Sequence, residues 1–243
     1  VLSVKAVAYY ATPYEIVTKL GIVPASIVAT LFPAFAHTSN GDSSRTIQLF
    51  SKSIAATFIL IFPIVLLIVT FSNEGLMIWL GKDFANKSKL VLQWLAVGVF
   101  INCLAQVTLA LVQGLGRPDL TAKFHLLELF LYIPLLLGAL IHYGIVGAAV
   151  VWTFRVTFDG FLLLWATQHL IPFARKLTLK LSGCIIVAST ALAFCGFPDS
   201  LIIRTMLCGA NIIIYIAVVL LYAWYNGIGG IISLNKSKNI SLK

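Results

Sequence analysis

HYGIVGAAVVWTFRVTFDGFLLLW, residues 142–165, decides how this chain folds. The run is long and apolar enough for a membrane helix, which needs about 20 residues to cross a hydrocarbon core of about 30 Å. Yet Arg155 and Asp159 interrupt it, where one charge near the bilayer centre costs roughly 2.5–3.5 kcal/mol on insertion scales. The preceding segment, 124–141, is equally apolar, and only HYG (142–144) joins the two. So short a link makes them antiparallel neighbours, and depth can be counted from the turn. With Tyr143 as the tip and 1.5 Å per residue, Arg155 lies about 18 Å down its helix, Asp159 about 24 Å, and Glu128 about 22 Å down the facing one. Three ionisable groups converge near one level. Arg155 and Asp159, at i and i+4, share a helical face and can pair with each other, while Glu128 can reach Arg155 across the interface. His125, three residues before Glu128, shares its face but lies farther from the turn. Gly144, Gly147, Ala148 and Ala149 allow close backbone approach near the tip.

The rest of the chain has the same character. Of 243 residues, 60% are hydrophobic and 10% charged, and mean hydropathy is +1.01; a soluble domain is usually about a quarter charged. The fold class is therefore all-α integral membrane, a bundle of about seven transmembrane helices in a single domain over 1–243. The expected spans are 16–36, 54–71, 90–112, 124–141, 145–168, 181–197 and 206–225. Continuous apolar runs, without the period-2 alternation of barrel strands, select helices. The chain begins with Val1 and its first fifteen residues lack a cleavable signal arrangement, so it reads as the C-terminal part of a longer protein.

Seven spans put alternate loops on opposite sides. Ten Lys and Arg fall on one side, including Arg45, Arg117, Arg175 and Lys243, against six on the other, including Lys5, Lys82 and Arg204. The positive-inside bias places the C-terminus in the cytoplasm and Val1 outside. The net charge of +9 is scattered over short loops with no basic run interleaved with aromatics, so anionic lipid headgroups are the expected partners and nucleic acid is not. Tyr9, Tyr10, Tyr14, Trp79, Trp165 and Trp224 lie near span ends as interface anchors.

Pro24 and Pro33 fall inside the first span and predict a broken helix facing the bundle interior, because irregular backbone is tolerated only against protein or a watery cavity. Pro63 and Pro134 suggest further kinks. Residues 37–52 form a polar loop with helix-start character near Asp42 and Ser43. GLMIWLGKDF, 75–84, is a short apolar patch suited to the membrane interface.

Catalytic signatures are lacking. There is no HExxH, paired CxxC, GxSxG, Walker loop or GxGxxG, so no catalytic residue, cofactor or metal is assigned. Cys103, Cys184, Cys195 and Cys208 read as free buried thiols. His37, His142 and His169 read as solvated residues at span ends. The central charges have two readings: a salt bridge that locates two helices, or the edge of a hydrated pathway in which Arg155 attracts an anion and Glu128 or Asp159, with His125 beside them, exchanges a proton or cation.

YYATPYEIVTKLGIVPASIVATLFPAFA (9–36), ALVQGLGRPDLTAKFHLLELFLYIP (110–134) and HYGIVGAAVVWTFRVTFDGFLLLW (142–165) resemble, in order and spacing, the C-terminal half of polysaccharide and O-antigen flippases of the multidrug/oligosaccharidyl-lipid/polysaccharide exporter superfamily. The resemblance covers about residues 1–170, and the last two spans share only hydropathy. It implies one lobe of an exporter of 12–14 helices and translocation of an oligosaccharide carried on polyprenyl pyrophosphate across the bacterial inner membrane by alternating access. A polysaccharide polymerase and chain-length machinery are the further partners it implies. Arg155 carries over as a substrate-binding candidate, with Asp159, Glu128 and Arg117 behind it; Arg117, in GLGRPD, also suits a solvated turn. A multidrug-type exporter of the same superfamily, a seven-span receptor and an intramembrane enzyme acting on lipid-linked sugars are the competing readings. Against the receptor stands the lack of DRY-like and NPxxY-like elements. Against the enzyme stands the lack of partnered nucleophiles or bases in any loop.

Overall fold

The computed structural model describes the backbone of residues 4–38, 43–196, 198 and 200–240, with side chains over 4–36, 44–196, 198 and 200–224. Val1, Asp42, Phe197 and Lys243, which bear on the N-terminal side, a helix start, a span end and the C-terminal side, lie outside the described residues, and the His37 side chain does too. Two compact units result, residues 1–198 and 199–243.

The first unit contains α1 (Val4–Thr18), α2 (Ile22–Thr38), α3 (Ser43–Thr70), α4 (Ser72–Leu80), α5 (Lys82–Gly114), α6 (Pro118–Leu170) and α7 (Arg175–Gly196). The second is a single helix, α8 (Leu201–Ile240), whose Leu201–Trp224 stretch is apolar and long enough to span. Among the described residues, six helical stretches meet that criterion. The 53-residue α6 is one of the six and is long enough to hold two spans. At Gly144, φ is 61° and ψ −144°, a conformation open in practice to glycine alone, and the chain folds back there into α6a (118–143) and α6b (145–170). Contact between Glu128 and Arg155, which a straight helix would hold about 40 Å apart, establishes the reversal. Gly147 lies so close to the opposite limb that a Cβ there would strike the Ala139 carbonyl and the Tyr143 Cβ.

α5 is the hub. It packs against α1, α2, α3, α4, α6 and α7, and its apolar residues continue round every face, as a helix enclosed by others requires. Small residues let neighbours approach: a Cβ on Gly98 would lie 2.6 Å from the Trp152 ring and 2.8 Å from Thr153 Oγ1. Thr153 Oγ1 in turn donates to the Trp94 carbonyl at 2.8 Å, tying α6b to α5. Phe58 and Phe62 of α3 meet Phe100 edge-on. Gln93 is buried, and its amide donates to Ser72 Oγ at 2.8 Å, the Gly196 carbonyl at 3.2 Å and the Val69 carbonyl at 3.3 Å. One side chain thus closes three element ends. Hydroxyls elsewhere turn back on their own helices, as Thr57 does to Ser53 O and Thr70 to Leu66 O, so no polar group is left unbonded at those positions.

The first span is helical from Val4, twelve residues before its expected start. Its break is a 3-10 turn at Lys19–Gly21, immediately upstream of Pro24, whose missing N–H then falls in the first turn of α2, where donors lack helical partners anyway. Pro33, Pro63 and Pro134 lie within continuous helix. The irregular span sits at the edge of this unit, with Ile22 and Phe32 exposed, rather than inside it. Tyr9, Tyr10 and Tyr14 accordingly lie within α1. The short α4 buries Leu76 and exposes Met77, Ile78 and Trp79, as an interfacial segment would. Cys103 and Cys195 are free and buried, but Cys184 is exposed: α7 turns that residue away from α3 and α5, so apolar sequence context did not mean burial.

Candidate functional site

The site lies between the two limbs of α6. Glu128, on α6a, is buried, with its side chain 1% exposed. Arg155, on α6b, donates from Nε to Glu128 Oε2 at 3.2 Å, and its guanidinium carbon sits 5.4 Å from the centroid of the Tyr132 ring. The cation is thus held by a carboxylate on one side and a π face on the other. His125 Nδ1 lies 3.7 Å from Glu128 Oε2 and 3.9 Å from Asp159 Oδ1, and ligand atoms of His125, Glu128 and Asp159 all fall within 4.8 Å of one another. Of the two pairings open to Arg155, the structure forms the one with Glu128, and Arg155 and Asp159, which share a face at i,i+4, form no ion pair among the described residues. Asp159 faces His125 instead.

Satisfaction is incomplete. Glu128 Oε1 and Asp159 Oδ1 are buried and have no hydrogen-bond partner, each an arrangement that costs about 1–3 kcal/mol. Glu128 alone holds the guanidinium, both carboxylates face one half-exposed imidazole, and one oxygen of each is left without a donor. Beside them a cavity of about 270 Å³ is lined by Leu131, Leu135, Val151, Phe154 and Phe158 together with Glu128, Tyr132 and Arg155. Arg155 borders this cavity with 38% of its side chain exposed, so it is not sealed in packing.

Arg117 stands apart. It lies in the turn before α6a and grips Asp119 with two contacts, Nε to Oδ1 at 2.9 Å and an Nη to Oδ2 at 3.1 Å; that hydrogen-bonded carboxylate raises the affinity of the guanidinium for its proton. Eleven residues of rise separate it from Glu128, about 16 Å, so it does not join the cluster. Tyr132 does, although the sequence reading passed over it: it follows Glu128 at i+4, the spacing that puts two side chains on one helical face.

Two curated proteins are similar to this chain. A Shigella flexneri protein named "Putative O-antigen transporter" is 33% identical over 165 residues, 68% of this chain and 39% of the relative. The chain is a homologue of O-antigen transporters and glycan flippases. A Haloferax volcanii protein named "Probable low-salt glycan biosynthesis flippase Agl15" is 27% identical over 145 residues, 59% of this chain and 30% of the relative. The flippase homologue thus spans well under half the length of either relative. No protein-family model matches it, and no solved structure matches it. Both relatives are named for movement of glycans, neither for reception of a signal or for catalysis.

Proposed function

We propose that this flippase homologue forms one lobe of a non-enzymatic transporter that passes a polyprenyl-pyrophosphate-linked oligosaccharide across the bacterial inner membrane by alternating access. The observation that carries the reading is the 33% identity to a protein named as an O-antigen transporter. The α6 hairpin gives it a physical basis. Pyrophosphate cannot cross hydrocarbon unaided, and a guanidinium offers permanently charged, fork-shaped donors to its oxygens. Arg155 commits only its Nε to Glu128, which leaves both Nη groups for an anion arriving through the adjoining cavity. Glu128, Asp159 and His125 are then the groups that exchange a proton or cation as the lobes rock. Arg117 contributes a peripheral charge. A polymerase and chain-length machinery would act on the exported product.

Glycan export by the intact transporter, with Arg155→Ala and Arg155→Lys at matched membrane abundance, tests this. Loss of export in the alanine variant with partial retention in the lysine variant is expected, since lysine keeps the charge but not the fork. Normal export in both would leave Arg155 a helix-locating residue only.

A further inference from the structure

We propose that His125, Glu128 and Asp159 form a binding site for a divalent transition-metal ion of the Zn²⁺ class, and that the bound ion competes with Arg155 for Glu128. The proposal rests on side-chain geometry and is independent of which cargo is moved.

The three donors come from two helices. His125 and Glu128 stand at i and i+3 on α6a, and Asp159 projects from α6b. Two ligands at about 2.0–2.1 Å on a tetrahedral ion are roughly 3.3 Å apart. The two His125 distances are 3.7 and 3.9 Å, so small side-chain rotations suffice to close the site. Three protein ligands leave a fourth position for water, and one imidazole nitrogen with two carboxylates suits Zn²⁺ better than Mg²⁺ or Ca²⁺, which take oxygen shells.

A second feature points to a ligand. Glu128 is almost completely buried, yet its Oε1 accepts no hydrogen bond, and the buried Asp159 Oδ1 is likewise without one. The Arg155 guanidinium, attached through Nε to Oε2, satisfies neither atom. Access is available through His125, whose side chain is 46% exposed and which lies toward the membrane face opposite the hairpin tip. An ion seated here draws on the Glu128 carboxylate that restrains Arg155. Metal occupancy therefore loosens the guanidinium toward the neighbouring cavity.

The test uses the purified full chain in detergent micelles with Zn²⁺ as the only added ion and Mg²⁺ as comparator. Saturable one-to-one Zn²⁺ binding is expected, weakened at least tenfold by His125→Gln and by Asp159→Asn, and tightened severalfold by Arg155→Gln, which removes the competing cation. In the wild-type chain, Zn²⁺ should also slow carbethoxylation of His125, read by mass spectrometry, without protecting His142 or His169. This measurement needs no variant and stands if one aggregates. No saturable binding, equal binding in both ligand variants, or an unprotected His125 at saturating Zn²⁺ would overturn the site. None of these readouts involves transport, so failure here is distinct from failure of the flippase reading.

Discussion

Arg155 Nε donates to Glu128 Oε2 at 3.2 Å across the α6 turn, joining residues 27 positions apart between two membrane-length helices. Removing the guanidinium leaves a buried carboxylate uncompensated, which costs about 3–5 kcal/mol when both partners are fully buried. With 38% of its side chain exposed, Arg155 falls short of that fully buried case. Arg155→Gln should therefore destabilise the fold by about 2 kcal/mol. Glu128→Gln should cost less, because a neutral amide tolerates the site. The double variant should lose less than the sum of the singles, as coupled neighbours do. Denaturant unfolding in micelles, followed by helicity, measures the cycle; strict additivity would mean that the contact contributes no coupling.

The α5–α6b contact predicts a contrast between two glycines. A methyl on Gly98 would press against the Trp152 ring and Thr153 Oγ1 at 2.6 and 2.8 Å, whereas one on Gly160 meets Ala105 and Ile101 at an ordinary 3.7 Å. Overpacking costs typically about 1–3 kcal/mol. Gly98→Ala should accordingly lower the thermal unfolding midpoint in micelles, while Gly160→Ala should leave it unchanged or raise it.

Gln93 offers a polar counterpart. Its amide satisfies acceptors on the end of α3, the start of α4 and the end of α7. Gln93→Leu leaves the Gly196 carbonyl without its donor at a cost of about 1–3 kcal/mol, whereas Ser72 Oγ and the Val69 carbonyl keep the hydrogen bond between them. Because α7 loses a tether, limited proteolysis of the variant should cut near residue 196 sooner than in the wild-type chain; an unchanged cleavage rate would show that packing alone holds that end.

The hairpin and the meeting of Glu128 with Arg155 across it were legible in the sequence because a three-residue link admits only one arrangement of two spanning helices. The partner of Asp159 was not, since i,i+4 spacing fixes a shared face but not which way each side chain turns, and Arg155 turned to α6a. The helix ahead of the first expected span, from Val4, was hidden by Lys5, Pro13, Glu15 and three tyrosines, which lower local hydropathy without preventing helix. Nor could the sequence single out α5 as the hub. In a membrane protein a lipid-facing helix and a protein-enclosed one are equally apolar, and what distinguishes α5, the fit of Gly98 to Trp152 and of Gln93 to three acceptors, is visible only when the neighbours are in place.

Two further glycines separate backbone conformation from packing within that hairpin. Neither Gly138 nor Gly144 has any atom within 4 Å of an added Cβ, but Gly144 alone has positive φ, +61°. Any cost at Gly144 is therefore conformational, about 1–3 kcal/mol for holding an L side chain in a backbone region that is in practice open to glycine alone. Gly138 lies in regular helix, half-buried, where alanine is favoured over glycine by about 1 kcal/mol. Gly144→Ala should lower the unfolding midpoint and Gly138→Ala should raise it or leave it unchanged. The same strain acts on the site, because the turn sets the register that brings Arg155 to Glu128. A spin-label pair on exposed positions Phe130 and Phe154 should show a broader distance distribution in Gly144→Ala than in Gly138→Ala. Equal distributions would mean that the contacts between the limbs, and not the turn, fix the hairpin.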